Sequence, residues 1–165
     1  LGRSHPILPV MAALATSDEP ARPWHAAYPT PACQAAALPR QELLQWLEGA
    51  KVNGKDFVLV DLRRDDYKGG TIRGSLNLPA QSLYPTLAAF YALVSSSGVK
   101  NVVFYCGSCG GRGTRSAGWF ADYLQAVNDT SIQSMILEGG IKGWAAAGPE
   151  FTKLMDEFDA SAWKR

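Results

Sequence analysis

No apolar run in this chain approaches the roughly 20 residues that a membrane-crossing helix needs. The longest, around Leu87–Val94, is interrupted by Tyr91, so no membrane partner is expected. Cysteine is scarce: Cys33, Cys106 and Cys109 are too few and too unevenly placed for a secreted disulfide scaffold, and an odd count leaves a thiol over. That argues for a reducing compartment, the cytoplasm in the first instance. Charge of one sign is lacking as well. The 16 basic and 15 acidic residues leave a net +1, which gives neither a nucleic-acid footprint nor an acidic tail. No internal repeat is visible, and neither a metal nor a bound cofactor is expected. What remains is an ordinary globular composition, 47% hydrophobic and 19% charged, over 165 residues, a length that suits one core.

Residues 1–38 are rich in Ala and Pro and carry no helical or strand period, so they are read as an extended N-terminal arm. The alternative is that Trp24, His25 and Tyr28 pin that arm to the domain surface, because aromatic faces are costly to leave in water; for His25 an incidental surface position is the commoner reading. The opening LGRSHPILPVMAALATS starts on Leu1, carries Arg3 and His5, and has no acid before Asp18. It is set aside either as foreign sequence ahead of Met11 or as the remnant of a basic targeting segment, which keeps a mitochondrial location as the alternative.

Residues 39–165 are assigned to one α/β domain. A helix is predicted from Pro39 over Leu43, Leu44 and Leu47, ending near Gly49. Phe57–Val60, closed by Asp61, reads as a strand covered on both faces. Gly69–Gly74 is turn chemistry, Leu76–Leu78 a short strand, and Ser82–Val94 a helix. Val102–Tyr105 is the next strand, Thr114–Val127 a helix, Ile132–Leu137 a strand, and Gly139-Gly140 opens a short helix through Trp144. Strands alternating with helices predict a mostly parallel central sheet with helices on both faces. In such sheets ligands bind beyond the carboxyl ends of the strands, which directs attention to Asp61, Cys106 and Glu138.

Between the strand ending at Tyr105 and the helix after it lies Cys106-Gly107-Ser108-Cys109-Gly110-Gly111-Arg112. A loop of this length can curl so that its backbone N–H groups converge on one point at a helix N-terminus, with glycines 107, 110, 111 and 113 permitting positive φ. The amides from Gly107 to Gly111 and the guanidinium fork of Arg112 then form a site for a tetrahedral oxyanion such as phosphate or arsenate. Cys106 at its base feels the same field and is expected to be largely thiolate near neutrality, a nucleophile aimed at the central atom of the oxyanion. Arg115, one turn beyond Arg112, is either a second oxyanion contact or an exposed helix charge. Asp61, Asp65 and Asp66 are candidate proton donors, with Asp61 singled out although a structural strand-end role is the commoner one; Asp65 and Asp66 suit solvated turn positions. Glu138 suits a polar cap. Trp119, Phe120 and Trp144 are assigned to packing.

The segment FVLVDLRRDDYKGGTIRGSLNLPA resembles the strand, Asp-Leu-Arg and Gly-x-Ile-x-Gly-Ser region of rhodanese-fold proteins, and ILEGGIKGW resembles their final strand-turn-helix signature. With VVFYCGSCGGRGTR the resemblance spans about residues 39–148 and implies a rhodanese-like three-layer fold. Sulfurtransferases of this fold carry a loop one residue shorter. The seven-residue Cys-x(5)-Arg loop is instead similar to those of the cell-cycle dual-specificity phosphatases and of the related eukaryotic arsenate reductases, most of all the small fungal members. The resemblance implies Cys106 as nucleophile, Arg112 as oxyanion binder and the amides of residues 107–112 as the cradle. It has departures. Tyr105 stands where the phosphatases have His, and Gly107 and Gly111 replace their acidic loop residues, so no loop acid is available to a protein-phosphate leaving group. Cys109 follows Cys106 at C-x-x-C spacing: it either forms a protective or resolving disulfide, or fills the loop as a small side chain.

Three functions follow as expectations. The first is arsenate reduction through a Cys106 adduct, with glutathione as reductant and glutaredoxin or Cys109 taking the next step. Its alternative is phosphoester hydrolysis, by a phosphotyrosine/dual-specificity or small-molecule phosphatase, through a cysteinyl-phosphate. The second is sulfur transfer from a sulfane-sulfur donor through a Cys106 persulfide. The third is a non-catalytic docking module, which the intact Cys and Arg disfavour. The net +1 also divides unevenly: −1 over residues 1–66, +5 with no acid over 67–121, and −3 over 122–165. An anion-attracting middle around the loop is therefore expected.

Overall fold

Two continuous apolar runs form the centre of the molecule. In the computed structural model, which describes residues 20–108 and 110–164, strand β2 (Phe57–Asp61) pairs in parallel with β5 (Asn101–Tyr105), Val60 opposite Phe104 and Asp61 opposite Tyr105. Strands β6 (Gln133–Leu137), β4 (Leu76–Asn77) and β1 (Ala36–Leu38) complete a five-stranded sheet in the order β1-β6-β5-β2-β4, every pair parallel. Side chains alternate along each strand, and the register sorts them. Val60 and Phe104 face one side, where Phe104 meets Phe90 of α3 (Leu87–Ser96) at a tilt and Phe120 of α4 (Arg112–Ala126) edge to face. Phe57, on the other side, meets Trp46 of α1 (Arg40–Glu48) at 5.5 Å. Helices therefore cover both faces, as the alternation of elements predicts.

Three differences from the sequence reading have local causes. Residues 36–38, expected in the arm, form edge strand β1; the segment Ala-Ala-Leu has no period of its own, and its register comes from β6. The helix expected over 82–94 is broken into α2 (Ala80–Leu83), a 3-10 turn (Tyr84–Thr86) and α3, because Pro85 has no N–H to donate. A small antiparallel pair, β3 (Thr71–Ile72) with β7 (Met155–Asp156), lies where the glycines suggested turns alone. After β6 come α5 (Gly140–Ala146) and α6 (Pro149–Thr152).

Within its described part the arm is pinned. The Trp119 indole N–H donates to the Pro29 carbonyl at 2.7 Å, and the Asp122 carboxylate accepts the N–H groups of Ala32 and Cys33 at 2.9 and 2.7 Å. Trp24 and Tyr28 meet Trp119 edge to face. Pro31 lies so close to α4 that a Cβ on Gly118 would sit 2.7 Å from it. The readings of the opening segment and of the Cys109 side chain fall outside the described residues. No helix among the described residues is long and apolar enough to cross a membrane.

Candidate active site

The carboxyl ends of β5 and β6 bring two turns together. Cys106, 3% exposed, follows β5 directly, and Arg112 opens α4 six residues later. The carbonyls of Cys106 and Gly107 accept the N–H groups of Ile141 and Lys142 in the first turn of α5, both at 3.0 Å. In a trans peptide the N–H points opposite to the C=O. The amides of Gly107 and Ser108 are thus turned away from α5. So close an approach is open only to glycine at position 140: its φ is +57°, and a Cβ there would lie 2.6 Å from both carbonyl oxygens. The left-handed conformation expected inside the loop is absent at Gly107 and Gly111 and is found instead at Gly139 and Gly140, next to it. Gly107 serves for space. A Cβ there would sit 3.6 Å from Lys142 Cε, 3.8 Å from Arg112 Nη2 and 4.0 Å from Asp66 Oδ2.

These three side chains surround the mouth of a cleft of about 510 Å³ lined by Cys106, Gly107, Ser108, Gly111, Arg112 and Arg115 of the predicted set. Arg115 is half-buried, its guanidinium 6.0 Å from the Trp119 ring centroid. Trp24, His25, Asp66, Gln81 and Lys142 complete the lining. Cations outnumber carboxylates among these residues, so the cleft suits an anion. Arg112 donates from Nη1 and Nη2 to the two oxygens of Asp66 at 2.7 and 2.5 Å. Those bonds hold the Asp66 carboxyl down at about 2, against the opposing effect of partial burial. The same pairing raises Arg112 further above its usual range, and its contact with Cys106 acts in the same direction.

Asp61 is not placed to donate a proton. It lies on the sheet face opposite Tyr105 in register, is fully buried, and accepts from Arg63 Nη2 at 2.7 Å, Arg63 Nε at 3.0 Å and Thr71 Oγ1 at 2.8 Å. The reading of Asp61 as an acid is corrected accordingly: strand alternation turns it into the core, and Arg63 claims its oxygens. Tyr105, which replaces the phosphatases' His, belongs to the same cluster. Its hydroxyl lies 2.8 Å from Thr71 Oγ1 and 2.6 Å from Ser75 Oγ, and burial pushes its ionisation above the usual tyrosine range. Asp65 pairs with Arg64 in solvent.

Sequence reasoning missed Lys142 and Gln81. Lys142 was legible only as the second residue after Gly140 in ILEGGIKGW. The Gln81 Oε1 atom is buried and without a hydrogen-bond partner among the described residues, and no pattern in the sequence marks it. For Trp24 and His25 the sequence offers pinning of the arm as an alternative, and for His25 an incidental surface position; neither reading places them on the cleft that they line.

A cysteine at the foot of an anion-binding loop, between a parallel strand and a helix N-terminus, defines a cysteine-based oxyanion site. Residues 40–147 match the model of the rhodanese-like domain. Arsenical-resistance protein 2 of Saccharomyces cerevisiae is 34% identical over 97 residues, covering 54% of this chain and 75% of that protein. The fold is shared with a yeast protein tyrosine phosphatase of the rhodanese family (21% identity, TM-score 0.68, 80% of this chain and 99% of that one). It is shared also with the As-Sb reductase from Leishmania major (21% identity, TM-score 0.64, 73% and 84%). The chain belongs to the rhodanese-like family. Within it, the kinship with the arsenical-resistance protein supports an enzyme of the cysteine-based oxyanion kind.

Proposed function

We propose that this protein is a thiol-dependent arsenate reductase. The observation that carries the reading is the cleft itself, whose lining brings Arg112, Arg115 and Lys142 together with the buried Cys106 and with Gly107, Ser108 and Gly111 of its loop. The 34% identical relative is by name an arsenical-resistance protein. The Cys106 thiolate attacks arsenic: an S–As bond forms, one As–O bond breaks, and the departing oxygen takes protons to leave as water. Arsenic stays pentavalent in this step. A glutathione thiolate then attacks the Cys106 sulfur, the S–As electron pair passes to arsenic, and arsenite leaves with a Cys106–glutathione disulfide behind. A second thiol, from glutaredoxin, glutathione or Cys109, releases Cys106 by exchange. No bound cofactor is required; glutathione is a co-substrate.

Phosphoester hydrolysis is the second reading, favoured by one observation: Asp66 places a carboxyl group in the cleft, where the loop itself carries none. Side-by-side turnover of arsenate with glutathione, of an aryl phosphate, and of thiosulfate with cyanide separates these readings from sulfur transfer. Cys106→Ser is expected to abolish arsenate reduction. If the variant keeps wild-type rates, the cysteine mechanism is wrong.

A further inference from the structure

The arginine meant for the oxyanion holds a carboxylate in this structure. Asp66 offers the Arg112 fork two oxygens at 2.7 and 2.5 Å, much as a phosphate or arsenate would. An oxyanion bound through that fork must take the place of the Asp66 oxygens. Asp66 lines the same cleft and lies 4.0 Å from the Cβ position of Gly107, the residue after the nucleophile, so its displacement leaves it beside the incoming anion. The loop residues at 107 and 111 are glycines, and Asp61 and Asp65 are committed elsewhere.

We propose that Asp66 is the proton donor to the oxygen that leaves when Cys106 attacks, kept ionised on Arg112 until the oxyanion takes over the guanidinium fork. The inference rests on the oxyanion-enzyme reading above. Once displaced, Asp66 exchanges a bidentate cation for an anion, and both changes favour its protonated form. Lys142 from α5 and Arg64 on its own loop favour the charged form. Asp65, the substrate and the Cys106 thiolate favour the neutral one, and His25 faces the same cleft from the arm. The proton comes from the monoprotonated oxyanion or from solvent. As the S–As or S–P bond forms, the pair of the breaking bond stays on the leaving oxygen, and Asp66 protonates that oxygen; the carboxylate left behind returns to Arg112 only when the remaining oxyanion has left the guanidinium fork. No electron is transferred to or from arsenic in this step.

Leaving-group dependence reads this role. Asp66→Asn is compared with wild type on p-nitrophenyl phosphate, whose phenolate leaves without a proton, on phenyl phosphate, which needs one, and on arsenate with glutathione. The loss in kcat is expected to be roughly 10²–10⁴-fold on phenyl phosphate and arsenate, and at least about tenfold smaller on the nitrophenyl ester. Asp66→Glu is expected to restore part of the loss. Inorganic phosphate, titrated directly in a Cys106→Ser background, is expected to bind more tightly after Asp66→Asn, since the internal competitor is gone. Equal losses on both esters, or weaker phosphate binding, would reduce Asp66 to a positioning partner of Arg112 and overturn the proposal. His25→Gln is run alongside; if it reproduces the leaving-group pattern, the proton comes from the arm and the assignment to Asp66 fails. An active protein indifferent to Asp66→Asn overturns this proposal alone. A wild type that turns over none of the three substrates overturns the enzymatic reading with it.

Discussion

Two aspartate–arginine pairs lie within a few ångströms of the same turn and differ in almost everything except their chemistry. Asp61 and Arg63 are buried, with side chains 1% and 2% exposed, and their polar atoms are shared inward. Arg63 also donates to the carbonyls of Gly70 at 2.7 Å and Lys68 at 3.0 Å, so it ties down the loop that follows it. Asp66 and Arg112 meet at the rim, with Asp66 half exposed, and besides Arg112 the Asp66 carboxylate accepts only the Arg64 backbone N–H, at 3.2 Å, among the hydrogen bonds of the described residues. The first pair builds the loop and the second is displayed by it. A buried ion pair whose remaining donors are all used is a fixed part of a scaffold; a half-exposed bidentate pair in a cationic cleft has no such ties to its anion.

Breaking the buried pair should produce the largest loss of stability. Arg63→Met leaves the Asp61 charge in the core and two carbonyls without their donor, a situation that typically removes about 3–5 kcal/mol. Urea denaturation measures it. Asp66→Asn should stay within about 1 kcal/mol of wild type by the same measurement, as half-exposed pairs do. Equal effects would erase the distinction between scaffold and display.

A smaller loss sharpens the contrast from the other side of the loop. There the Cys106 and Gly107 carbonyls are held by backbone N–H groups of α5 rather than by charge. Gly140→Ala imposes a left-handed alanine and a contact of 2.6 Å on both carbonyl oxygens. Strain at such positions is roughly 1–3 kcal/mol. Because relief requires the loop to move, Cys106 alkylation by iodoacetamide should change in rate along with stability. An unchanged alkylation rate would show that the α5 contact does not set the geometry of Cys106.

The sheet, its parallel sense and the loop were legible because each rests on a local pattern: continuous apolar runs at 57–60 and 102–105, and a glycine-rich turn between a strand and a helix. What escaped was non-local. Ala36–Leu38 becomes a strand only because β6 offers an edge, and β3 and β7 pair across more than 80 residues. The choice among the three candidate acids turned on strand alternation at Asp61, which the strand assignment already contained, and on the reach of Arg112 to Asp66, which it did not. The charge count shows the same limit. Its acid-free stretch begins at residue 67, one residue after the carboxylate that lines the cleft, while Lys142, a cation of the cleft, comes from the net acidic last segment.

The smallest effect tests the rim pair by pH. The Asp66 carboxyl is held at about 2 in the folded chain, below the roughly 3.9 of an unfolded aspartate. A depressed folded value means that the pairing stabilises the fold above the unfolded pKa and that this stabilisation is lost as pH falls from about 4 through 2. Half exposure screens it, so the contribution should not exceed about 1 kcal/mol and should shrink further in high salt. Wild type and Asp66→Asn are therefore expected to differ slightly at pH 6 in dilute buffer and to converge near pH 2, with the difference followed by urea denaturation at each pH. Persistence of the difference at pH 2 would mean that the carboxyl acts through something other than its charge on Arg112. Convergence would leave Arg112 held by a weak and replaceable anion, the property a substrate-binding arginine requires.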